Sequence, residues 1–306
     1  MSGNWGAVRV GRMLGWIGRE SYEIDTLYGH GFGVGLPCTD ALGPACGHIG
    51  TGVIFPGYSA GIVYETPSLG GLQLHLGAFD PVVFGAGSWD HGQMLRPEGA
   101  VSFEQHIGAT ALIKLEIEGF WQSMSRLANI TDMATGMIVG QDKLTTDVWG
   151  ASGGLRVEAG PVRIGVSGFR GKGLGLFYAL QRSNANADPV EDRTHQLRMF
   201  TGFYGTGALV FGGLRLMGGF GMVLADQTPD DKINAMLSVI RYQRGISAGA
   251  FYNATQNIVL GLDYFLFTAG WWGAPVVDPT TMAVTGKLAG ETQVVNFVNA
   301  GITYWW

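Results

Sequence analysis

The sequence has no uninterrupted apolar run of the ~18–20 residues that a membrane-spanning helix needs. Its longest apolar stretch, "GALVFGGLRLMGGFGMVLA" at 207–225, is broken by glycines and by Arg215. Charge is scarce as well. Charged residues make up 14% of the chain, against roughly 25% in typical soluble domains. There is no basic cluster, and the net charge is -5 with a pI near 5.6. That balance excludes a nucleic-acid-binding surface. The N-terminus, "MSGNWGAVRV", has neither a charged n-region nor an apolar h-region, so it does not read as a secretory signal. If the protein works outside the cytoplasm, the chain is expected to be a mature, engineered or truncated form.

Cysteine is nearly absent. The two residues, Cys38 and Cys46, lie eight apart in "CTDALGPAC". Two are too few for a zinc site, and His30 and His48 lack finger-like spacing. Two alternatives stay open. One is a disulfide closing a small loop, worth about 2.5 kcal/mol on a chain-entropy model; it would imply an oxidising compartment. The other is a pair of idle thiols.

What the chain has instead is glycine, 51 of 306 residues, well over twice the usual ~7%. Glycine at that density disfavours helix interiors, yet the mean hydropathy is positive at +0.18. A composition that is apolar without being helical points to a large all-β protein or a membrane β-barrel.

Period-two alternation runs through the chain. In 71–79, Leu72, Leu74, Leu76 and Ala78 share one face, with Gln73, His75 and Gly77 on the other. In 109–121, Ile113, Leu115 and Ile117 alternate with Lys114, Glu116 and Glu118. Leu155 and Val157 alternate with Arg156 and Glu158, and Val162, Ile164 and Val166 with Arg163, Gly165 and Ser167. Leu260, Leu262, Tyr264 and Leu266 alternate with Gly261, Asp263 and Phe265.

Twelve such segments are expected, near 6–14, 58–66, 70–79, 99–105, 109–122, 146–159, 161–171, 194–205, 208–224, 234–252, 257–271 and 291–306. Their connections alternate strictly. Short turns, "TPSLG", "QHIG", "AGP", "GTGA" and "NATQN", exchange with long polar loops at 15–57, 80–98, 123–145, 172–193, 225–233 and 272–290. A soluble sandwich has no reason to keep short turns at one end and long loops at the other. A transmembrane up-and-down barrel does, with short periplasmic and long extracellular connections and no unpaired edge left in hydrocarbon. The expectation is therefore an all-β, antiparallel transmembrane β-barrel forming one domain over 1–306. Its apolar faces should meet lipid, and its charged and glycine faces should line the lumen. Tyr64, Phe79, Trp121, Trp149, Tyr264 and Tyr304 near strand ends are expected to form interfacial girdles.

Three stretches carry a family resemblance. "GNWGAVRVGRMLG" at 3–15 and "AGIVYETPSLGGLQLHLGAFDP" at 60–81 resemble the strand before, and the hairpin after, the inward-folded third loop of Gram-negative general-diffusion porins. The C-terminal "NAGITYWW" resembles the assembly signal of outer-membrane barrels, here Asn299, Gly301, Tyr304 and Trp306. The family usually has sixteen strands and a signal peptide. The resemblance therefore implies either a chain lacking its first four strands or a smaller, twelve-stranded barrel.

The resemblance further implies that residues 16–57 form a constriction loop folded into the pore. Its Glu20, Glu23, Asp25 and Asp40 would then face basic residues on the wall. Wall candidates with lumen parity are Arg9, Lys114, Arg156, Arg163 and Arg215. Charged rings of this kind set ion preference. Arg12 falls on the apolar parity unless Gly11 is a bulge. The implied activity is passive diffusion of small hydrophilic solutes through a homotrimeric outer-membrane pore. Implied partners are outer-membrane lipid, lipopolysaccharide and the barrel-assembly machinery; no cofactor and no metal is expected. A non-conducting display barrel and a substrate-specific channel are the alternatives.

Other signals weigh little. The six histidines show no Ser–His arrangement for a lipase. "GKGLGLFYAL" and "GHGFGVG" do not fit a phosphate-binding loop, and Asp226, Asp230 and Asp231 read as a solvated loop. The chain is not expected to be an enzyme.

Overall fold

A computed structural model describes residues 1–25, 46–81, 92, 94–131, 137–176, 190–192, 194–234, 239–273, 275–278, 280–281, 284–287 and 289–304. Most of it is one antiparallel sheet whose thirteen strands follow sequence order. They are β1 (Ser2–Gly3), β2 (Gly6–Leu14), β3 (Tyr58–Glu65), β4 (Leu72–Phe79), β5 (Arg96–Ile107) and β6 (Ala111–Thr131). Then come β7 (Ile138–Ala159), β8 (Val162–Lys172), β9 (Met199–Phe211), β10 (Leu214–Ala225), β11 (Ile240–Asn253), β12 (Ile258–Trp271) and β15 (Thr292–Tyr304). A separate small hairpin pairs β13 (Pro275–Val277) with β14 (Val284–Lys287). Two short helices, α1 (Arg19–Ile24) and α2 (Pro229–Asn234), lie in long connections.

Each of the twelve expected segments contains a strand, with bounds that shift most at β9, β10 and β11. The thirteenth, β1, forms because the first residues fold back on β2; Met1 and Val8 exchange two backbone hydrogen bonds of 2.9 and 2.8 Å. The sheet is not closed: β1 and β15 are its two edges.

Burial on this sheet is inverted relative to a soluble protein. Leu72, Leu74, Leu76, Val101, Leu115, Ile117, Ile164 and Val166 are exposed, while Glu65, His75, Glu98, Glu116 and Glu118 are buried. On β6 the contrast falls between neighbours: Ile117 is 60% exposed, and Glu116 and Glu118 are 3% exposed. Alternate side chains point to opposite faces of a strand, so one face of the sheet is apolar and open and the other polar and covered. An apolar face of this extent suits hydrocarbon, not water.

Aromatic residues mark its limits. At the short-turn end Trp5 stacks on Tyr64, and Phe211, Tyr252 and Tyr304 are exposed. At the other end Trp121 pairs across the ladder with Trp149. Beyond that pair the outward positions turn polar, with Ser123 opposite Asp147 and Ser125 opposite Thr145. β6 and β7 have 21 and 22 residues, about twice the ~9–11 that cross a bilayer. Their hairpin therefore projects well past the aromatic pair.

Two girdle expectations fail. Phe79 shares the parity of His75, points inward and is fully buried in a cluster with Trp16, Val63 and Ala100. Tyr264 lies in the middle of β12, where its hydroxyl donates to Asn296 Oδ1. Arg12 keeps the outward parity of Val10, because the β2–β3 ladder passes Gly11 without a register shift.

The short turns use glycine at positive φ, as at Gly108 (62°) and Gly160 (56°). One was misplaced. "GTGA" at 205–208 is strand, with Gly205 opposite both Phe220 and Val166. The real turn is at Gly212, with φ 57°. Gly205 and Gly207 read as a turn, although both are paired within the ladders of β9.

α1 and α2 carry no amphipathic period long enough to read from sequence. α2 is fixed locally by a reciprocal cap: Asp231 N donates to Thr228 Oγ1 and Thr228 N to Asp231 Oδ2. Arg198 then grips the Asp231 carboxylate with two bonds of 2.8 Å, tying α2 to the approach to β9.

Candidate functional site

The described parts of the long β2–β3 connection, 16–25 and 46–57, pack against the polar face of the sheet. Trp16 N donates to Glu98 Oε2 at 2.6 Å, and Arg96 Nε holds the other oxygen of Glu98 at 2.7 Å. Gly18 N donates to Ser152 Oγ at 2.9 Å, which donates onward to Glu118 Oε1. α1 then lies over β7 and β8.

At its other end the connection meets β9–β11. His48 N donates to Asp25 Oδ2 at 2.6 Å, and the Tyr204 hydroxyl donates to Asp25 Oδ1 at 3.1 Å. His48 Nε2 lies 2.7 Å from Ser247 Oγ. Backbones touch here. A Cβ on Gly52, whose φ is +110°, would sit 2.2 Å from the Phe203 carbonyl oxygen. A Cβ on Gly221 would sit 2.1 Å from that of Thr51. Only glycine permits this approach.

Charge divides the covered face into two regions. On β5 and β6 the acids are buried and engaged. Lys114 Nζ lies 2.7 Å from Glu23, 3.2 Å from Glu20 and 3.4 Å from Glu116. Glu23 also accepts from Arg19 Nε at 2.7 Å. Burial raises the Glu20 carboxyl to about 7, against the pull of Lys114.

On β7, β8 and β10 the arginines face open space. A cavity of about 180 Å³ is lined by Glu23, Asp25, Arg156, Glu158, Arg163 and Arg215, among others. Glu158 lies 3.4 Å from Arg156 and 3.6 Å from Arg163. A second cavity of about 330 Å³, at the short-turn end, shares Arg163 and Arg215. Acids from the covering segment thus meet arginines from the wall around one space, with a field across it.

Lys114 meets Glu20 and Glu23, and Glu23, Asp25, Arg156, Arg163 and Arg215 surround one cavity. Arg9 stands apart, paired with Glu65 at 2.9 Å. Cys46 is buried and disulfide-bonded. Cys38, Asp40 and Trp306 lie outside the described residues. Asn299 Nδ2 donates to Asp263 Oδ2 at 3.1 Å, Gly301 pairs with Gly261, and Tyr304 is exposed on the outward face.

No sequence pattern signals the His48–Ser247 contact, which joins residues 199 apart, or His75 Nε2 at 2.9 Å from Ser102 Oγ. The His48–Ser247 pair is not built as a nucleophile, whereas His75 Nδ1 lies 3.9 Å from Glu65 Oε1. His48 Nδ1 faces the Thr51 hydroxyl at 3.2 Å rather than a carboxylate. Full burial also lowers His48 to about 3, too weak a base at neutral pH. It acts as a clamp between connection and wall.

Strand order, inverted faces and a connection docked on the polar side together define a sheet of the transmembrane up-and-down β-barrel fold class. Comparison with solved structures agrees. The anion-selective porin from Comamonas acidovorans superposes with a TM-score of 0.56 at 15% identity, over 99% of this chain and 75% of that one. The outer membrane channel DcaP of Acinetobacter baumannii gives 0.56 at 12% identity, over 83% of this chain and 64% of that one. OmpT, an outer membrane protein of Vibrio cholerae, gives 0.52 at 12% identity, over 99% and 78%. The chain thus spans about two thirds to three quarters of these proteins, and at such identities the likeness is one of fold. No protein-family model and no curated protein matches the sequence.

Proposed function

We propose that the protein is a passive outer-membrane channel that passes small hydrophilic solutes and ions by size and charge. The observation that carries this reading is the cavity where Glu23 and Asp25 of the covering segment meet Arg156, Arg163 and Arg215 of the wall. In this reading residues 16–57 are the constriction loop within a single barrel domain over 1–306, and Asp40 adds to its acidic side. The Cys38–Cys46 bridge would stiffen that loop. Asn299, Gly301, Tyr304 and Trp306 address the chain to the barrel-assembly machinery. Lipid and lipopolysaccharide surround the apolar face, and three copies assemble. There is no chemical step.

Planar-bilayer recording of the purified protein tests this. Ohmic steps of roughly nanosiemens size support a water-filled pore. Silence at all voltages would sink it in favour of a display barrel.

A further inference from the structure

Arg215 is placed differently from the other arginines of the inner face. Arg156 and Arg163 share Glu158. Among the described residues no carboxylate lies within ion-pair distance of Arg215, and its buried Nε has no hydrogen-bond partner. The guanidinium instead lies over the ring of Phe251, 5.1 Å from its centroid. It lines the larger cavity of about 330 Å³ with Arg163, Val210, Phe251, Val259 and Thr303.

The floor of that cavity is unusual for an otherwise charged face. Phe251 belongs to a buried apolar cluster with Ala208, Met217 and Phe265, against which Val259 and Phe297 pack. A water-filled passage does not need an apolar floor beneath a guanidinium that has no carboxylate partner. A partly desolvated, unpaired guanidinium is costly unless an anion completes it. Its forked donors match a carboxylate in two-point geometry. A ring and a valine beside that fork offer apolar contact to whatever bears the carboxylate.

We propose that this cavity is a binding subsite for an organic monocarboxylate with an apolar body, anchored on Arg215 and packed on Phe251 and Val259. Arg163, at the boundary with the smaller cavity, passes the anion between the two spaces. The proposal rests on the channel reading only for the ligand's route in and out; binding itself does not require conduction.

Calorimetric titration of the detergent-solubilised, folded protein tests it, with sodium benzoate, sodium acetate and benzylammonium chloride as probes. Benzoate is expected to bind at least tenfold more tightly than acetate, and benzylammonium not at all. R215Q should weaken benzoate at least tenfold, and R215K should restore part of the loss. Equal binding of benzoate and acetate, or benzoate binding unchanged in folded R215Q, would overturn the subsite. If R215Q does not fold, the three-probe comparison on the unaltered protein decides. A protein silent in bilayers whose benzoate binding depends on Arg215 keeps the subsite and loses the channel. A conducting protein that ignores benzoate does the reverse.

Discussion

The two charged regions of the covered face contain the same residue types and behave differently. On β5 and β6, Glu98, Glu116 and Glu118 are buried and held by Arg96, Lys114 and Ser152. On β7, β8 and β10, Arg156, Arg163 and Arg215 border open space. The first region seats the covering segment, and the second borders a cavity, which the proposed function reads as the passage. Pairing geometry, rather than charge count, separates structural charge from functional charge. A buried ion pair contributes little net stability but is costly to break, whereas the more exposed pairs of Arg156 and Arg163 with Glu158 hold less and are cheaper to exchange.

Several substitutions test that division. The largest effect is expected from Lys114→Met. It removes the cation shared by Glu20 and Glu116, leaving Glu23 with Arg19 alone, and should cost about 3–5 kcal/mol, read as a lowered denaturant midpoint of the folded protein. Retention of full stability would show that the region is not a seat.

Gly52→Val comes next. Its positive φ and the contact with the Phe203 carbonyl leave no room for a side chain. The segment should lift from β9 and β10 at a cost of roughly 2 kcal/mol, and single-channel conductance should rise. Unchanged conductance would separate docking from constriction.

Arg156→Gln and Arg163→Gln should each change stability by under about 1 kcal/mol. They should still move the zero-current potential in a salt gradient toward cation preference. A stability loss without that shift would reverse the comparison.

Acidity gives a finer test. Burial raises Glu20 to about 7, so the folded state holds the proton more tightly than the unfolded chain. Its contribution is full below about 4.5 and is lost as pH rises toward 7. His48 has the opposite sign. Held near 3, it contributes fully above about 6.5 and loses that contribution as pH falls. Glu20→Gln should therefore flatten the decline in stability between about pH 4.5 and 7 and leave the acid limb intact. The smallest effect is expected from Arg9→Ala. Its ion pair with Glu65 is 63% exposed on the arginine side and is worth at most about 1 kcal/mol.

Much of the sheet was legible because period-two patterning survives in a single strand. Ile113, Leu115 and Ile117 against Lys114, Glu116 and Glu118 identify both faces of β6 without any knowledge of its neighbours. The β9–β10 turn was not legible. Gly205 and Gly207 look like turn glycines until the ladders to β8 and β10 place them in mid-strand. Phe79 went wrong for a related reason. Its aromatic character suggested a girdle, but its parity faces inward, where Trp16 of the covering segment waits.

By itself the sequence determined which side chains face lipid and which face inward, since alternation is a property of each strand's own backbone. The low charge, the glycine content and the order of short and long connections added the up-and-down plan. Only the tertiary structure decided which inward charges are consumed and which remain available. Lys114 meets Glu23 across 91 residues of chain, and His48 meets Ser247 across 199. No local pattern records such distances, because those contacts exist only where a long connection, held by Gly52 against Gly221, lies on the wall.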